Sequence, residues 1–303
     1  MNLDIIAYPL GQFLYFIYNT MAFHNYGLAI IIFTIIMKMV LLPLTIKQYR
    51  STAKMQEIQP QIQEIQKRYK NDKEKLNQEM MKVYQENKVN PAGGCLPLLV
   101  QLPILFSLYW VVMQPLKFML NIPQKIIYGT VNESKVVVEN GLMQIFNIKE
   151  RFGAEIAIIN NFSAEKAGAL LSPDLIEKIK DLGRGLRFLG INLSDKATYD
   201  VNLLFGPEAG RYLPLLLFPI IGVITTYISS KMSMPPAQKG NTNQTSNSMT
   251  NSMLYMGPIM TLIFSFQFPA GVILYWIAGY VFQIFQQLYI NKYVYKKKEV
   301  ATK

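Results

Sequence analysis

The chain has 303 residues, of which 51% are apolar, and its 30 Lys and Arg residues outnumber 19 Asp and Glu for a net charge of +11. Several apolar runs approach the thickness of a bilayer, so the composition indicates a multi-pass membrane protein and excludes a soluble domain. Cys95 is the only cysteine and His24 the only histidine. An internal disulfide is therefore excluded, zinc-protease and serine-triad chemistry lack their parts, and we expect no cofactor and no metal site.

Residues 1–25 are predicted to form an amphipathic helix on the outer face of the membrane. Polar residues interrupt a set of apolar residues that recur at helical spacing. The apolar residues are Ile6, Leu10, Phe13, Ile17 and Met21. No Lys or Arg precedes Lys38, so we expect no cleavable signal peptide, which needs a basic start. A first membrane span over the same residues is the alternative interpretation.

Residues 26–46 form the first predicted membrane helix, and Lys38 lies inside it. As a helix, residues 27–46 would span about 30 Å, which is enough to cross a bilayer. An ammonium group is costly there, so an intramembrane charge is a functional hypothesis by default. No Asp or Glu lies in any apolar run of the chain. We expect Lys38 to meet water, a backbone carbonyl or an incoming group, with snorkelling to the headgroups as the alternative.

Residues 47–95 are predicted to form a cytoplasmic helical hairpin. Apolar residues at steps of three and four mark one seam in each helix: Met55, Ile58, Ile62, Ile65 and Tyr69, then Leu76, Met80 and Val83. The hairpin is either a solvated structural element or an arm that docks partners.

Four further membrane helices are predicted from the remaining apolar runs, at 96–116, 212–230, 253–268 and 270–290. Pro269 lies in a short turn, so the last two helices form a hairpin. Between the second and third spans, residues 117–211 predict a small folded insert outside the cell, with a strand at 136–138 and a helix capped by Ser172.

The distribution of basic residues orients these spans. Residues 47–95 hold ten Lys and Arg residues. The polar loop at 231–252 and the tail at 291–303 are also basic, whereas the opposite side is nearly uncharged apart from the long insert. By the positive-inside rule, the N-terminus lies outside and the C-terminus lies in the cytoplasm.

Polar side chains occur on several of the predicted spans. Thr34, Lys38 and Thr45 share one helix face, and Gln101 lies between two prolines of the second span. In the last span another face carries polar and aromatic groups: Trp276, Tyr280, Gln283 and Gln287. Because such groups are costly in lipid, we expect them to face a partner helix or a water-filled cavity.

The chain resembles the YidC/Oxa/Alb family of membrane protein insertases, in its short, Gram-positive-like form. The resemblance rests on stretches that include GLAIIIFTIIMKMVLLPLTIKQYR, VNPAGGCLPLLVQLPI, FLGINLSD and FQFPAGVILYW. It implies an all-α fold with five transmembrane helices around a hydrophilic groove, plus the cytoplasmic hairpin and the N-terminal helix. It also implies the groove residues Lys38, Thr34, Gln101 and Trp276. Lys38 stands where the family more usually has arginine, so the charge is kept and the bidentate fork is lost.

The implied function is the insertion and chaperoning of nascent membrane proteins in the bacterial plasma membrane, without enzymatic chemistry. Expected partners are nascent chains and membrane lipids, with the Sec translocon and the ribosome as further candidates and no sequence-specific nucleic acid. A nucleotide-binding P-loop pattern is absent from the sequence. The alternative is a secondary transporter, which would be expected to show two related halves and often an intramembrane carboxylate.

Overall fold

The structure is a computed structural model that describes residues 4–88, 96–131, 137–151, 153–233 and 244–290. Helices account for most of it: α1 Asp4–Thr20, α2 Tyr26–Val40, α3 Leu42–Glu57, α4 Gln59–Arg68, α5 Lys73–Glu86, α6 Leu96–Met113, α7 Pro115–Phe118, α8 Gln124–Tyr128, α9 Leu142–Ile145, α10 Ala154–Asn160, α11 Ala164–Ala167, α12 Pro173–Gly185, α13 Val201–Phe205, α14 Ala209–Tyr212, α15 Leu217–Ser233, α16 Gln244–Ser265 and α17 Ala270–Ile290. The predicted tail at 291–303 and residues 234–243 of the predicted loop at 231–252 lie outside the described residues.

Two antiparallel strand pairs complete the secondary structure, and both lie in the insert. Strand β1, Thr130–Val131, pairs with β2, Val137–Glu139, in the region where a strand was predicted. Strand β3, Arg187–Phe188, pairs with β4, Ile191–Asn192, through a two-residue turn. Both turn residues have positive φ, 50° at Leu189 and 82° at Gly190. That geometry matches the right-handed twist of a tight hairpin.

Membrane-spanning capacity is clearest for two helices among the described residues. The helix over Ala209–Ser233, which runs from α14 through a 3₁₀ turn into α15, and helix α17 are both long and apolar enough to cross a bilayer. Helix α2 and the start of α3 qualify together as one bent span. The other two predicted spans correspond to shorter apolar helices, Leu102–Met113 and Leu254–Ser265. Membrane helices are thus present, while the number five stays a prediction.

The first predicted span is not one straight helix. Helix α2 ends at Val40, and α3 leaves it at an angle of 57°. Pro43 stands in the first turn of α3, where its missing N–H costs nothing and its ring disfavours continuation of the preceding helix. Beyond the bend, α3 packs against α6 and leads to α4, and Lys38 lies in the last turn of α2.

Helix α17 is the centre of the helical bundle, since it packs against α2, α6 and α15, while α15 also packs against α16. The insert shares the hydrophobic core of this bundle instead of forming a core of its own. Ile179 and Leu182 of α12 belong to the same cluster of buried side chains as Tyr26 and Ile30 of α2. The predicted insert is therefore folded, and it is built onto one end of the bundle.

Helix α1 lies within the residues 1–25 for which an amphipathic helix was predicted, and it buries a different face from the predicted one. The predicted apolar face included Met21, which is 47% exposed. The buried positions are instead Ala7, Gly11, Leu14, Ile17 and Tyr18. The physical reason is a close approach: a Cβ on Gly11 would lie 2.5 Å from the carbonyl oxygen of Phe118. The Gln12 side chain donates to that same oxygen at 2.7 Å.

The insert also binds the ends of two bundle helices. The N–H groups of Ala270 and Gly271, at the start of α17, donate to the carbonyls of Asp195 and Leu193, each at 2.8 Å. Asn25 caps α2 by accepting the N–H of Leu28, and its amide donates to the carbonyl of Arg187. Helix N-termini leave unsatisfied donors, and the insert satisfies those of α17.

In the region of the predicted hairpin, residues 47–95, helices α4 and α5 pack against each other, while residues 89–95 lie outside the described part of the chain. Ile58 and Ile62 are buried, and Met55, Met80, Val83 and Tyr84 cover them. Asp72 caps α5 by accepting the N–H of Lys75 at 3.0 Å. This arm has a small core separate from that of the bundle, as the periodic seam predicts.

Candidate functional site

Lys38 leaves the last turn of α2 toward α17, where Gly279 leaves room for it. A Cβ added to Gly279 would lie 3.4 Å from Cε and 3.9 Å from Nζ of Lys38. The Lys38 side chain is half-buried. The Lys38 side chain therefore lies along the surface of α17.

Around this ammonium group lies a cleft of about 290 Å³ between α2, α16 and α17. Its walls combine small, polar and aromatic side chains: Lys38, Gly257, Met260, Thr261, Phe264, Tyr275, Trp276, Gly279, Tyr280 and Gln283. No acidic residue is among these described lining residues. We call this feature the Lys38 cleft. It places one cation and several hydrogen-bonding groups inside a bundle of apolar helices.

Hydroxyl groups line the wall formed by α15, α16 and α17. The Thr226 and Thr261 hydroxyls lie 3.1 Å apart, and both side chains are buried. Tyr280 and Gln283 of α17 line the same cleft. Bonding between helices compensates the cost of polar groups in an apolar medium.

An aromatic layer bounds the cleft on the side of the α16–α17 turn. The Trp276 ring lies 5.7 Å from the Phe264 ring and 5.9 Å from the Phe268 ring, and Tyr109 of α6 contacts Phe268 at 5.2 Å. Edge-to-face contacts of this kind hold rings in place. Because the lining residues of α17 run from Tyr275 to Gln283, the cleft extends from this layer toward the other end of the helix.

The structure brings two of the four predicted site residues into the cleft wall, namely Lys38 and Trp276. Thr34 lies one turn before Lys38, where it is fully buried against α17 and donates to the carbonyl of Ile30 at 2.6 Å. Gln101 lies on α6, but its side chain is outside the described residues.

Thr261 and Gly279 are among the lining residues that were not predicted from the sequence. Small residues four apart on facing helices were the available signal for Thr261: Gly222 and Thr226 on α15, and Gly257 and Thr261 on α16. Such spacing is typical of close helix packing in membranes. Gly279 gives no such signal, because its role depends on the side chain that α2 places opposite it.

Outside the predicted spans, the most unusual titratable group is Glu155 of α10. It is fully buried, and it accepts hydrogen bonds from the backbone N–H of Lys117 at 3.0 Å and from the Tyr128 hydroxyl at 2.9 Å. Burial is the main cause that raises its pKa to about 7, since desolvation disfavours the carboxylate and the hydrogen bonds only partly offset this effect. The Lys117 ammonium pairs instead with Asp4 of α1 at 3.0 Å.

The described residues contain no group of three or more His, Cys, Asp or Glu side chains that could hold a metal ion. The fold and the Lys38 cleft thus define a helical membrane protein that offers a polar, positively charged surface within its apolar helices. Comparisons with known proteins specify this class further.

A sequence model of the family described as "60Kd inner membrane protein" matches residues 16–298. The chain belongs to this family. It is 30% identical to the "Membrane protein insertase YidC" of Oceanobacillus iheyensis over 97% of this chain and 85% of that protein. It is 32% identical to the protein of the same name from Clostridium perfringens, over 90% of this chain and 82% of that one.

Other relatives are longer. The chain is 30% identical to the "Membrane protein insertase YidC" of Geobacter metallireducens. That alignment covers 95% of this chain but only 37% of the relative. A solved structure entitled "Active YidC insertase crystal structure with the first transmembrane domain resolved" aligns with a TM-score of 0.49 at 23% identity, over 94% of this chain and 46% of that one.

Proposed function

We propose that this protein inserts integral membrane proteins into the bacterial plasma membrane and assists their folding, with the Lys38 cleft as the surface that receives the polar part of the substrate. Its membership of the 60Kd inner membrane protein family, together with relatives named membrane protein insertases, supports insertion. The same comparisons do not favour a secondary transporter.

The physical basis is the cost of moving polar groups through hydrocarbon. A polar group without a hydrogen-bond partner costs on the order of several kcal/mol in an apolar medium. A cleft that holds hydroxyls, an amide and an ammonium lowers that cost for the segment that must cross. The apolar span of the substrate then enters lipid, and its removal from water provides the driving force, so no nucleotide hydrolysis and no enzymatic chemistry are needed.

One observation carries the proposal: Lys38 lines the cleft without an acidic residue among the described lining residues. A cation in this position attracts acidic substrate segments, because the surrounding apolar helices screen charge far less than water does. In this proposal, five transmembrane helices surround the cleft as a hydrophilic groove, to which Gln101 and Thr34 contribute together with Trp276.

The proposed topology has the N-terminus outside and the C-terminus in the cytoplasm. The ten basic residues of 47–95 and the absence of Lys and Arg from 1–37 support it. The arm α4–α5 then lies in the cytoplasm, where it receives nascent chains, with the ribosome and the Sec translocon as candidate partners. Its small separate core, built on Ile58 and Ile62, supports a movable unit.

Charge substitution at Lys38 tests the proposal in a depletion strain. Lys38→Arg is expected to support insertion, because it keeps the cation. Lys38→Ala and Lys38→Glu are expected to be impaired for substrates with acidic outside tails, and much less for substrates with neutral tails. Lys47→Ala is the matched control, since Lys47 is exposed and lies beyond the bend on α3. Wild-type insertion rates of acidic-tail substrates with Lys38→Ala would refute the role of the charge.

A further inference from the structure

The insert contains a second, larger and more polar cleft, far along the chain from Lys38. It has a volume of about 1140 Å³ and lies between α10, α12, the β3–β4 hairpin and α14. Four cations and one acid line it, namely Lys180, Arg184, Arg187 and Arg211 with Asp195. We call it the basic cleft. The charge of its walls alone favours an anionic ligand.

Two of these cations are engaged within the protein. Arg211 makes a bidentate pair with Asp195, through distances of 2.8 and 2.7 Å, and Arg184 pairs with Glu177 at 3.1 Å. Lys180 and Arg187 are exposed, and neither forms an ion pair with any residue in the described part of the chain. They remain available for a ligand, and together they match the charge of a phosphate group.

Neutral hydrogen-bonding groups form the floor of the basic cleft. The Asn160 amide donates to Ser194 at 3.0 Å, the Ser194 hydroxyl donates to Asn192 at 2.7 Å, and Asn192 donates back to Asn160 at 3.3 Å. This ring of mutual bonds holds the asparagine amides in place beside the unpaired cations. Amides of this kind bind hydroxyl groups, such as those of a polar lipid headgroup.

The surroundings of the cleft are apolar and exposed. Leu189, at the tip of the β3–β4 hairpin between lining residues Arg187 and Gly190, is 86% exposed. On and beside α13, which packs against α14, Tyr199, Val201 and Phe205 are 83%, 66% and 75% exposed. Exposed apolar groups of this size mark an interaction surface, and next to a membrane helix they fit lipid.

The position of the basic cleft along the bundle favours a lipid over a soluble ligand. Gly210 and Arg211, which line it, stand at the beginning of the apolar helix Ala209–Ser233. Phe188, in the same hairpin as Leu189, packs against Gly27 at the start of α2. In the topology of the proposed function, on which this inference rests, both helix ends lie at the outer headgroup level.

We propose that the basic cleft binds the headgroup of an anionic phospholipid from the outer leaflet. Lys180 and Arg187 hold the phosphate, Asn160 and Asn192 bind headgroup hydroxyls, and Leu189 with α13 contacts the acyl chains. The bound lipid would anchor the insert at the membrane surface beside the ends of α2 and of the helix Ala209–Ser233.

Calorimetric titration of the full-length protein in a neutral detergent tests this site without any substrate. The probes are dihexanoyl phosphatidylglycerol, dihexanoyl phosphatidylcholine, glycerol 3-phosphate and an acidic peptide. We expect saturable binding of the phosphatidylglycerol, about tenfold tighter than binding of the phosphatidylcholine or of glycerol 3-phosphate, as one charged contact or the acyl contacts would provide. A result of equal binding by glycerol 3-phosphate, or tighter binding by the acidic peptide, would overturn the proposal.

Three variants separate the parts of the site. Joint Lys180→Gln and Arg187→Gln substitution is expected to weaken phosphatidylglycerol binding about tenfold or more. Lys178→Gln, on the same helix but paired with Asp174, is the control and should leave binding within about twofold. Leu189→Asn suits the positive φ of that position and should weaken lipid binding while leaving glycerol 3-phosphate binding unchanged.

Unchanged lipid binding in the double variant would refute the site, provided that the variant elutes and melts like the parent protein. Because no inserted substrate enters the titration, its failure would leave the insertase function standing. Equally, a failure of Lys38 variants to affect insertion would leave the lipid measurement valid.

Discussion

The buried carboxyl of Glu155 gives the protein a pH dependence of stability that can be worked out from its contacts. Its pKa rises from an ordinary 4.5 to about 7 in the folded chain, chiefly because burial disfavours the charge. The folded state therefore binds the proton more tightly than the unfolded state does. The contribution of Glu155 to stability is therefore greatest below the unfolded pKa, falls as the pH rises from 4.5 to about 7, and does not change above that.

The size of this effect follows from the two pKa values. Each pH unit in that window costs about 1.4 kcal/mol, so ionising Glu155 removes about 3 kcal/mol of folding free energy in all. Glu155→Gln cannot ionise, and its amide oxygen can still accept the Lys117 N–H while its NH2 group donates to the Tyr128 hydroxyl oxygen. The variant should therefore lose the pH dependence while it keeps most of the packing.

The assay is thermal unfolding of the purified protein in detergent between pH 5 and pH 8. The wild-type midpoint should fall over this range relative to that of Glu155→Gln, and the difference between the two should grow with pH. Glu165→Gln, at an exposed carboxyl of the same insert, is the control and should follow the wild type. Parallel midpoints for wild type and Glu155→Gln across the range would refute the reasoning.

Three further predictions concern the cleft, the arm and the topology. Gly279→Ala should be tolerated, since its Cβ would lie 3.4 Å from Lys38. Gly279→Leu should instead fill the cleft and reproduce the defect of Lys38→Ala in insertion assays. Normal insertion with Gly279→Leu would contradict this prediction. Replacing residues 55–86 with a short Gly/Ser bridge should leave the spans folded, because the arm has its own core. The same deletion should impair insertion. Loss of the protein itself from membranes would show that the arm is structural. A cysteine at Asn2 in a Cys95→Ser background should react with an impermeant maleimide in intact cells, and labelling only after lysis would reverse the proposed orientation.

The class of protein could be predicted from the sequence because a helix that crosses a bilayer needs a continuous run of apolar residues. Runs of apolar residues of bilayer length identify membrane helices, and Lys38 is conspicuous because a charge in such a run is costly. The arm was predictable for a similar reason: its seam of Ile58, Ile62, Met80 and Val83 follows the helical period. The cap at Ser172 required only the residues of its own turn.

Contacts between distant parts of the chain decided the rest. The face that α1 buries is set by the approach of Gly11 to Phe118, more than one hundred residues later, and not by where its largest apolar side chains stand. The room for Lys38 depends on Gly279, whose small size has no meaning until α2 and α17 are side by side. The fusion of the insert with the bundle likewise rests on hydrogen bonds from Ala270 and Gly271 to Asp195 and Leu193. The local pattern of apolar residues indicates which segments are buried away from water. Only the tertiary structure determines which side chains those segments contact.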